Sequence, residues 1–187
     1  MQNKKQKNRG FTLVETLIAI AIFTTSIIAI MSVLANGISN TTYAKNKMIA
    51  SYLAQEGIEY IRNMRDSYVL YGSDPTTGWT DFTDQLYSFK CFTPDFPYGC
   101  GADVDSLIKN KLFACNSDGS NNPCNLYVND GDYNSSTVGT DSGFVRKIQV
   151  EAIDMTKEIK VNSTVSWKQG DNTNTVTFSE NLFNWVE

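Results

Sequence analysis

The residues able to do chemistry are few. The chain has no histidine, which excludes Ser-His-Asp triads, Cys-His dyads and histidine metal sites. No nucleophile stands beside a base and no glycine-rich phosphate loop is present, so no catalytic residues are assigned and no enzyme is expected. Four cysteines, Cys91, Cys100, Cys115 and Cys124, follow at gaps of nine, fifteen and nine positions. Paired zinc ligands stand about two to four residues apart, closer than any of these. A redox pair would want Cys-x-x-Cys, which is absent. Asp130, Asp132 and Asn134, with Asp141 beyond, offer oxygen atoms at alternate positions, as a calcium loop does. However, Ser135 stands where that loop wants glycine. The competing reading is an Asx-rich turn cluster, and no other cofactor is expected. The last candidate is Glu15, because of where it lies.

Glu15 is the one charged residue in the apolar run 13–35. About 23 residues at ~1.5 Å each cross a hydrocarbon core of ~30 Å. Residues 1–10 carry Lys4, Lys5, Lys7 and Arg9 and no acid. The positive-inside rule keeps them cytoplasmic and sends the C-terminal part outside. The run also admits three plainer readings: a buried core helix, a secretory signal cut after Val33-Leu34-Ala35, or a simple anchor. A carboxylate inside a membrane segment costs at least a few kcal/mol, so it usually has a partner. The next cation downstream is Lys45. The partner must lie upstream, be newly generated, or come from another molecule.

Gly10-Phe11-Thr12-Leu13-Val14-Glu15, after a short basic leader and before an apolar helix, resembles the type III signal of type IV pilins and type II secretion pseudopilins. The resemblance implies that a prepilin peptidase cleaves between Gly10 and Phe11 and that Phe11 becomes N-methylated. It also implies that Glu15 acts in assembly, facing the Phe11 amine of a neighbouring subunit. A desolvated ion pair is favourable only when both partners arrive together. Such a pair sets axial register, while apolar helix faces supply most of the affinity. One departure is clear: many major pilins have a proline in this helix, whereas the first proline here is Pro75.

Beyond the membrane run, Ile49/Ala50, Leu53/Ala54, Gly57/Ile58, Ile61 and Met64 recur at helical spacing, opposite Lys47, Gln55, Glu59, Arg62, Asn63 and Asp66. A helix over 12–66 is roughly 80 Å long at ~1.5 Å per residue, more than a globule of this size can bury. Residues 54–62 also resemble the corresponding helix of minor pilins. Taken alone, Gln55, Glu56, Glu59 and Arg62 read as a solvated face with an i, i+3 ion pair. Residues 71–142 are full of turn signals and read as long loops with short strands and a helical turn at 104–112. The aromatics Phe82, Tyr87, Phe89, Phe92, Phe96 and Tyr98 form either an adhesive surface or a small core beneath these loops.

The C-terminal third alternates. Phe144, Ile148, Val150 and Ala152 share one parity, interrupted by Arg146. Ile159, Val161, Val165 and Trp167 share another strand's apolar face, and Val176, Phe178 and Leu182 a third's. Turns at 154–156 and 170–172 separate them. An antiparallel meander with one apolar face needs a cover, which the amphipathic half-helix supplies.

The expected fold class is α+β, a pilin-like ladle. Its expected parts are a cleaved leader (1–10), the membrane and filament-core half of the helix (11–35) and its amphipathic half (36–70). A disulfide-bearing loop region (71–143) and the meander (144–187) follow. In an external domain, an even cysteine count argues for disulfides. Short loops favour Cys91–Cys100 with Cys115–Cys124, and the nested pairing Cys91–Cys124 with Cys100–Cys115 stays open.

A length of 187 residues suits one domain with an appendage. A net charge of −4 argues against a nucleic-acid partner. The expected function is a structural subunit, a minor pilin or pseudopilin of a type IV pilus, competence pilus or type II secretion pseudopilus. Expected partners are other subunits, the prepilin peptidase, the inner-membrane assembly machinery and the membrane before assembly. The expected location is the cytoplasmic membrane in a single pass, then the filament. The alternative is a membrane-tethered monomeric binding or adhesin domain. An exported enzyme ranks third.

Overall fold

The computed structural model describes residues 10, 12–71, 75–103, 111–117, 122–135, 137 and 139–185. The chain is α+β: a long N-terminal apolar helix, a C-terminal antiparallel sheet and two disulfides. It divides into two compact units, Met1–Ala44 and Lys45–Glu187. Helix α1 (Leu13–Tyr71) is unbroken for 59 residues, as expected without an internal proline.

In the first unit every described residue of α1 is exposed. Leu17, Ile20, Phe23, Ile28 and Leu34 are among its bare side chains. This helix is apolar enough to cross a membrane, with a mean hydropathy of 2.5 in its best window.

In the second unit α1 continues as a half-buried helix. Ala50, Leu53, Ala54, Ile58, Ile61 and Met64 are buried, following the spacing of the sequence. They lie on three long strands, β6 (Thr140–Asp154), β7 (Glu158–Gln169) and β8 (Asn172–Phe183), paired antiparallel in that order. The inner faces carry Phe144, Ile148 and Val150, then Ile159, Val161, Val165 and Trp167, then Leu182. Gly57 sits where α1 comes closest, and a Cβ there would collide with the Ser163 hydroxyl. Glycine is what lets the helix approach the sheet.

Two expectations need correction. The first concerns residues 71–142, which hold a second helix, α2 (Pro75–Ser88). Proline starts it, where its missing N–H costs nothing, and Trp79, Phe82 and Leu86 face the core. The expected turn at 104–112 lies mostly outside the described residues, and Leu112 belongs to a strand. The second concerns the meander, which is part of an eight-stranded sheet. Five short strands complete it: β1 (Phe92–Thr93), β2 (Cys100–Asp103), β3 (Lys111–Ala114), β4 (Asn125–Asn129) and β5 (Asp132–Asn134).

Strand β6 organises these pieces. Along one edge it pairs with β7. It also pairs with β4, β2 and β1 in turn, at Val145, Ile148 and Val150. Strands so short are unstable alone, and the disulfides tie them down. Cys91–Cys100 joins the starts of β1 and β2, and Cys115–Cys124 joins the end of β3 to the start of β4. The carbonyls of Cys91 and Cys124 accept hydrogen bonds from the Val150 and Arg146 amides, so both bridges are docked on β6. Among the aromatics, Phe82 and Phe92 are core, Phe89 and Phe96 pack against it, and Tyr87 and Tyr98 are exposed.

Candidate assembly site

Glu15 lies in the first turn of α1. Thr12 begins the helix: its carbonyl accepts from the Thr16 amide at 3.2 Å and its hydroxyl from the Glu15 amide at 3.3 Å. This is an N-cap in a Thr-x-x-Glu capping-box sequence, a signal the sequence reading missed. It gives Glu15 a local role as well, because a carboxylate in the first turn suits the helix dipole. Among the described residues the Glu15 carboxylate has no hydrogen-bonded or ionic partner. By helical spacing it shares a face with Ile18, Ala19 and Ile22, all exposed.

Gly10 is exposed, and an added Cβ there would meet nothing. Among the described residues, neither packing nor a left-handed backbone requires glycine at this position. Phe11 and the leader residues 1–9 lie outside the described residues.

Several hydroxyls of the run satisfy themselves. Thr24, Thr25 and Ser26 donate to the carbonyls of Ala21 and Ile22 at 2.7–3.1 Å. Hydroxyls bonded within their own helix can enter a bilayer without leaving donors unpaired. Gly37 stands mid-helix in open space. It costs about 1 kcal/mol against alanine, and among the described residues nothing packs against it.

The second unit bears out part of the reading of Gln55, Glu56, Glu59 and Arg62 as a solvated face: Gln55 and Glu59 are exposed, whereas Glu56 and Arg62 are half-buried. Glu59 and Arg62 do form the i, i+3 pair, at 2.6 Å. But Arg62 also reaches across to Glu180 on β8 at 2.5 Å. The hydrogen bond to Glu180 comes first among the causes holding the guanidinium above its ordinary range, against a smaller cost of burial. Arg146, which broke the apolar parity of β6, points inward at 2% exposure. It donates to Glu56 at 2.5 Å and to the carbonyls of Leu53 and Ala102. Two inward strand charges, Arg146 and Glu180, thus meet opposite charges on α1. A charge at an inward parity was the sequence signal for both.

Asp130 and Gly131 form a tight turn between β4 and β5, both with positive φ, as a two-residue hairpin requires. Asp132 is exposed on β5 and Asn134 is buried. Asp141 accepts from the Gly143 amide at 2.8 Å.

Residues 5–35 match the family model described as the prokaryotic N-terminal methylation motif. The chain carries the type IV pilin and pseudopilin signal. The match spans Gly10, Thr12 and Glu15 and ends within the exposed part of α1. The signal implies prepilin peptidase processing and assembly with other pilin subunits. Together with the apolar helix it suits membrane anchoring. No curated protein and no solved structure matches the chain.

Proposed function

We propose that the chain is a structural subunit, a minor pilin or pseudopilin, of a type IV pilus, competence pilus or type II secretion pseudopilus. It waits in the cytoplasmic membrane with residues 45–187 outside. The peptidase cuts between Gly10 and Phe11, the Phe11 amine is methylated, and the subunit is extracted into a filament. The carrying observation is a motif-bearing helix whose apolar residues over 13–44 have no cover among the described residues. Burying each such side chain is worth ~1.5–3 kcal/mol, so the helix must exchange lipid for other helices without passing through water. Gly37, with nothing packed against it among the described residues, suits close approach of a neighbouring helix. Glu15, without a partner of its own among the described residues, faces the neighbour's Phe11 amine and fixes the register.

Glu15→Val tests this. The variant inserts at least as well as wild type, because it removes a charge from the membrane segment. It is still cleaved after Gly10. It enters filaments poorly, since losing one partner of a desolvated pair costs ~3–5 kcal/mol. The readout is membrane-retained against sheared subunit with the rest of the machine intact. Assembly of Glu15→Val at the wild-type level contradicts the proposal and favours the tethered monomer.

A further inference from the structure

Beside α1 in the second unit lies a groove of about 380 Å³, walled by Ile49, Tyr52, Leu53, Glu56, Asp132 and Tyr133. The β4–β5 hairpin forms its other side. Its floor is apolar and aromatic. Its rim holds two carboxylates: Asp132 is exposed, and Glu56 is 37% exposed although one of its oxygens holds Arg146. No cation lines it. Along α1, Lys45, Met48 and Tyr52 follow at three and four positions, the spacing of a seam between packed helices. All three are exposed, Met48 at 62% and Tyr52 at 66%, whereas Ala50, Leu53 and Ala54 turn to the sheet.

We infer that this groove receives residues 45–48 of α1 from a second copy of the chain, with the incoming Lys45 ammonium against the Asp132 carboxylate. The inference rests on the filament reading and names one of its contacts. Two arguments choose the occupant. First, the charges are complementary: the rim is acidic, and residues 45–48 carry two cations, Lys45 and Lys47. Second, the registers agree. Pairing the Phe11 amine of one copy with Glu15 of the next offsets parallel helices by four residues, ~6 Å. The same offset sets an incoming Lys45 level with Ile49 and an incoming Met48 level with Tyr52. Ile49 lines the groove together with Asp132, so this level brings the incoming ammonium to the Asp132 side of the rim.

The test is charge exchange in the full chain, produced with its assembly machine and scored by sheared subunit. Asp132→Lys and Lys45→Glu each lower the sheared fraction about tenfold, a repulsion in place of an attraction at a partly desolvated rim. The double variant Lys45→Glu with Asp132→Lys restores it to within about twofold. Both positions are exposed, so unfolding of the second unit is unchanged. In addition, Lys45→Cys with Asp132→Cys in one chain gives disulfide-linked multimers in oxidised filaments. The inference is overturned if either single reversal assembles normally, if the double stays as low as the singles, or if no linked multimers form. Glu15→Val separates the two levels. If it fails to assemble while the reversals are neutral, the groove assignment falls and the filament reading stands. If it assembles normally, the filament reading falls first.

Discussion

The two halves of α1 have similar propensities and opposite surroundings. Across residues 13–44 every described side chain is exposed, and polar groups such as Thr25 and Ser26 satisfy themselves within the helix. From Lys45 onward one face is buried on β6–β8, and the charged side chains Glu56 and Arg62 are held across the interface by Arg146 and Glu180. The difference lies in where the free energy of burial is realised. The second unit realises it within the chain. The first can realise it only against lipid or other helices, so its residues are chosen for association. A mutation in one half should therefore be read out by folding, and in the other by assembly.

The largest break in that comparison is Glu56→Ala. It leaves the Arg146 guanidinium buried with two carbonyls and no counter-charge. The expected loss is about 3 kcal/mol, the low end for a broken buried pair, because Glu56 keeps some water. Denaturant unfolding of the full chain in detergent, followed by the fluorescence of buried Trp79 and Trp167, measures it. A change below about 0.5 kcal/mol would show the pair to be incidental. Gly57→Ala is next, at ~1–3 kcal/mol for an overpacked contact. Ser163→Ala should recover most of that loss, because the Ser163 hydroxyl has no partner among the described residues to forfeit. Failure of that rescue would mean that helix strain, not the collision, causes the loss. Ile28→Ala removes a comparable side chain from the exposed half. It should move unfolding of the second unit by less than about 0.5 kcal/mol while lowering the sheared fraction. A larger change in unfolding would mean the halves are coupled.

The smallest effect is one of pH. The Asp154 carboxylate accepts from the Thr156 hydroxyl at 2.6 Å and amide at 2.9 Å. These bonds, the hydroxyl's first, lower it from its ordinary value of 3.8. A group depressed on folding stabilises above its unfolded value. That contribution should fade as pH falls below 3.8, loosening the β6–β7 turn locally. The protection of the Thr156 amide against exchange, relative to the intrinsic rate at each pH, is the measurement, and Asp154→Asn should remove the pH dependence of that protection.

The sequence was legible where its period was long. The buried face of α1 and the three long strands follow from alternation and helical spacing, because each runs for a dozen residues or more. Helix α2 was hidden by the turn residues before it and by Gly78, although Pro75 at its first position and the spacing of Trp79, Phe82 and Leu86 were available signals. Strands β1–β5 are too short for any period. Strands β1, β2 and β4 pair with β6, β3 and β5 pair in turn with β2 and β4, and the disulfides hold β1–β4 there. At the assembly site, the motif gave Gly10, Phe11 and Glu15 their expected roles. The capping role of Thr12 was legible, but Thr12-x-x-Glu15 was read for its glutamate alone. The charge partner of Glu56 needed coordinates, since Arg146 lies 90 residues away in sequence.

The central claim is that the exposed half of α1 is a processed assembly element. Mass measurement of the N-terminal peptide, from protein isolated from its native envelope, tests it most directly. The account predicts a chain that begins at Phe11 and carries one added methyl group on its amine. A chain that retains Met1, or that begins at Asn36, contradicts it.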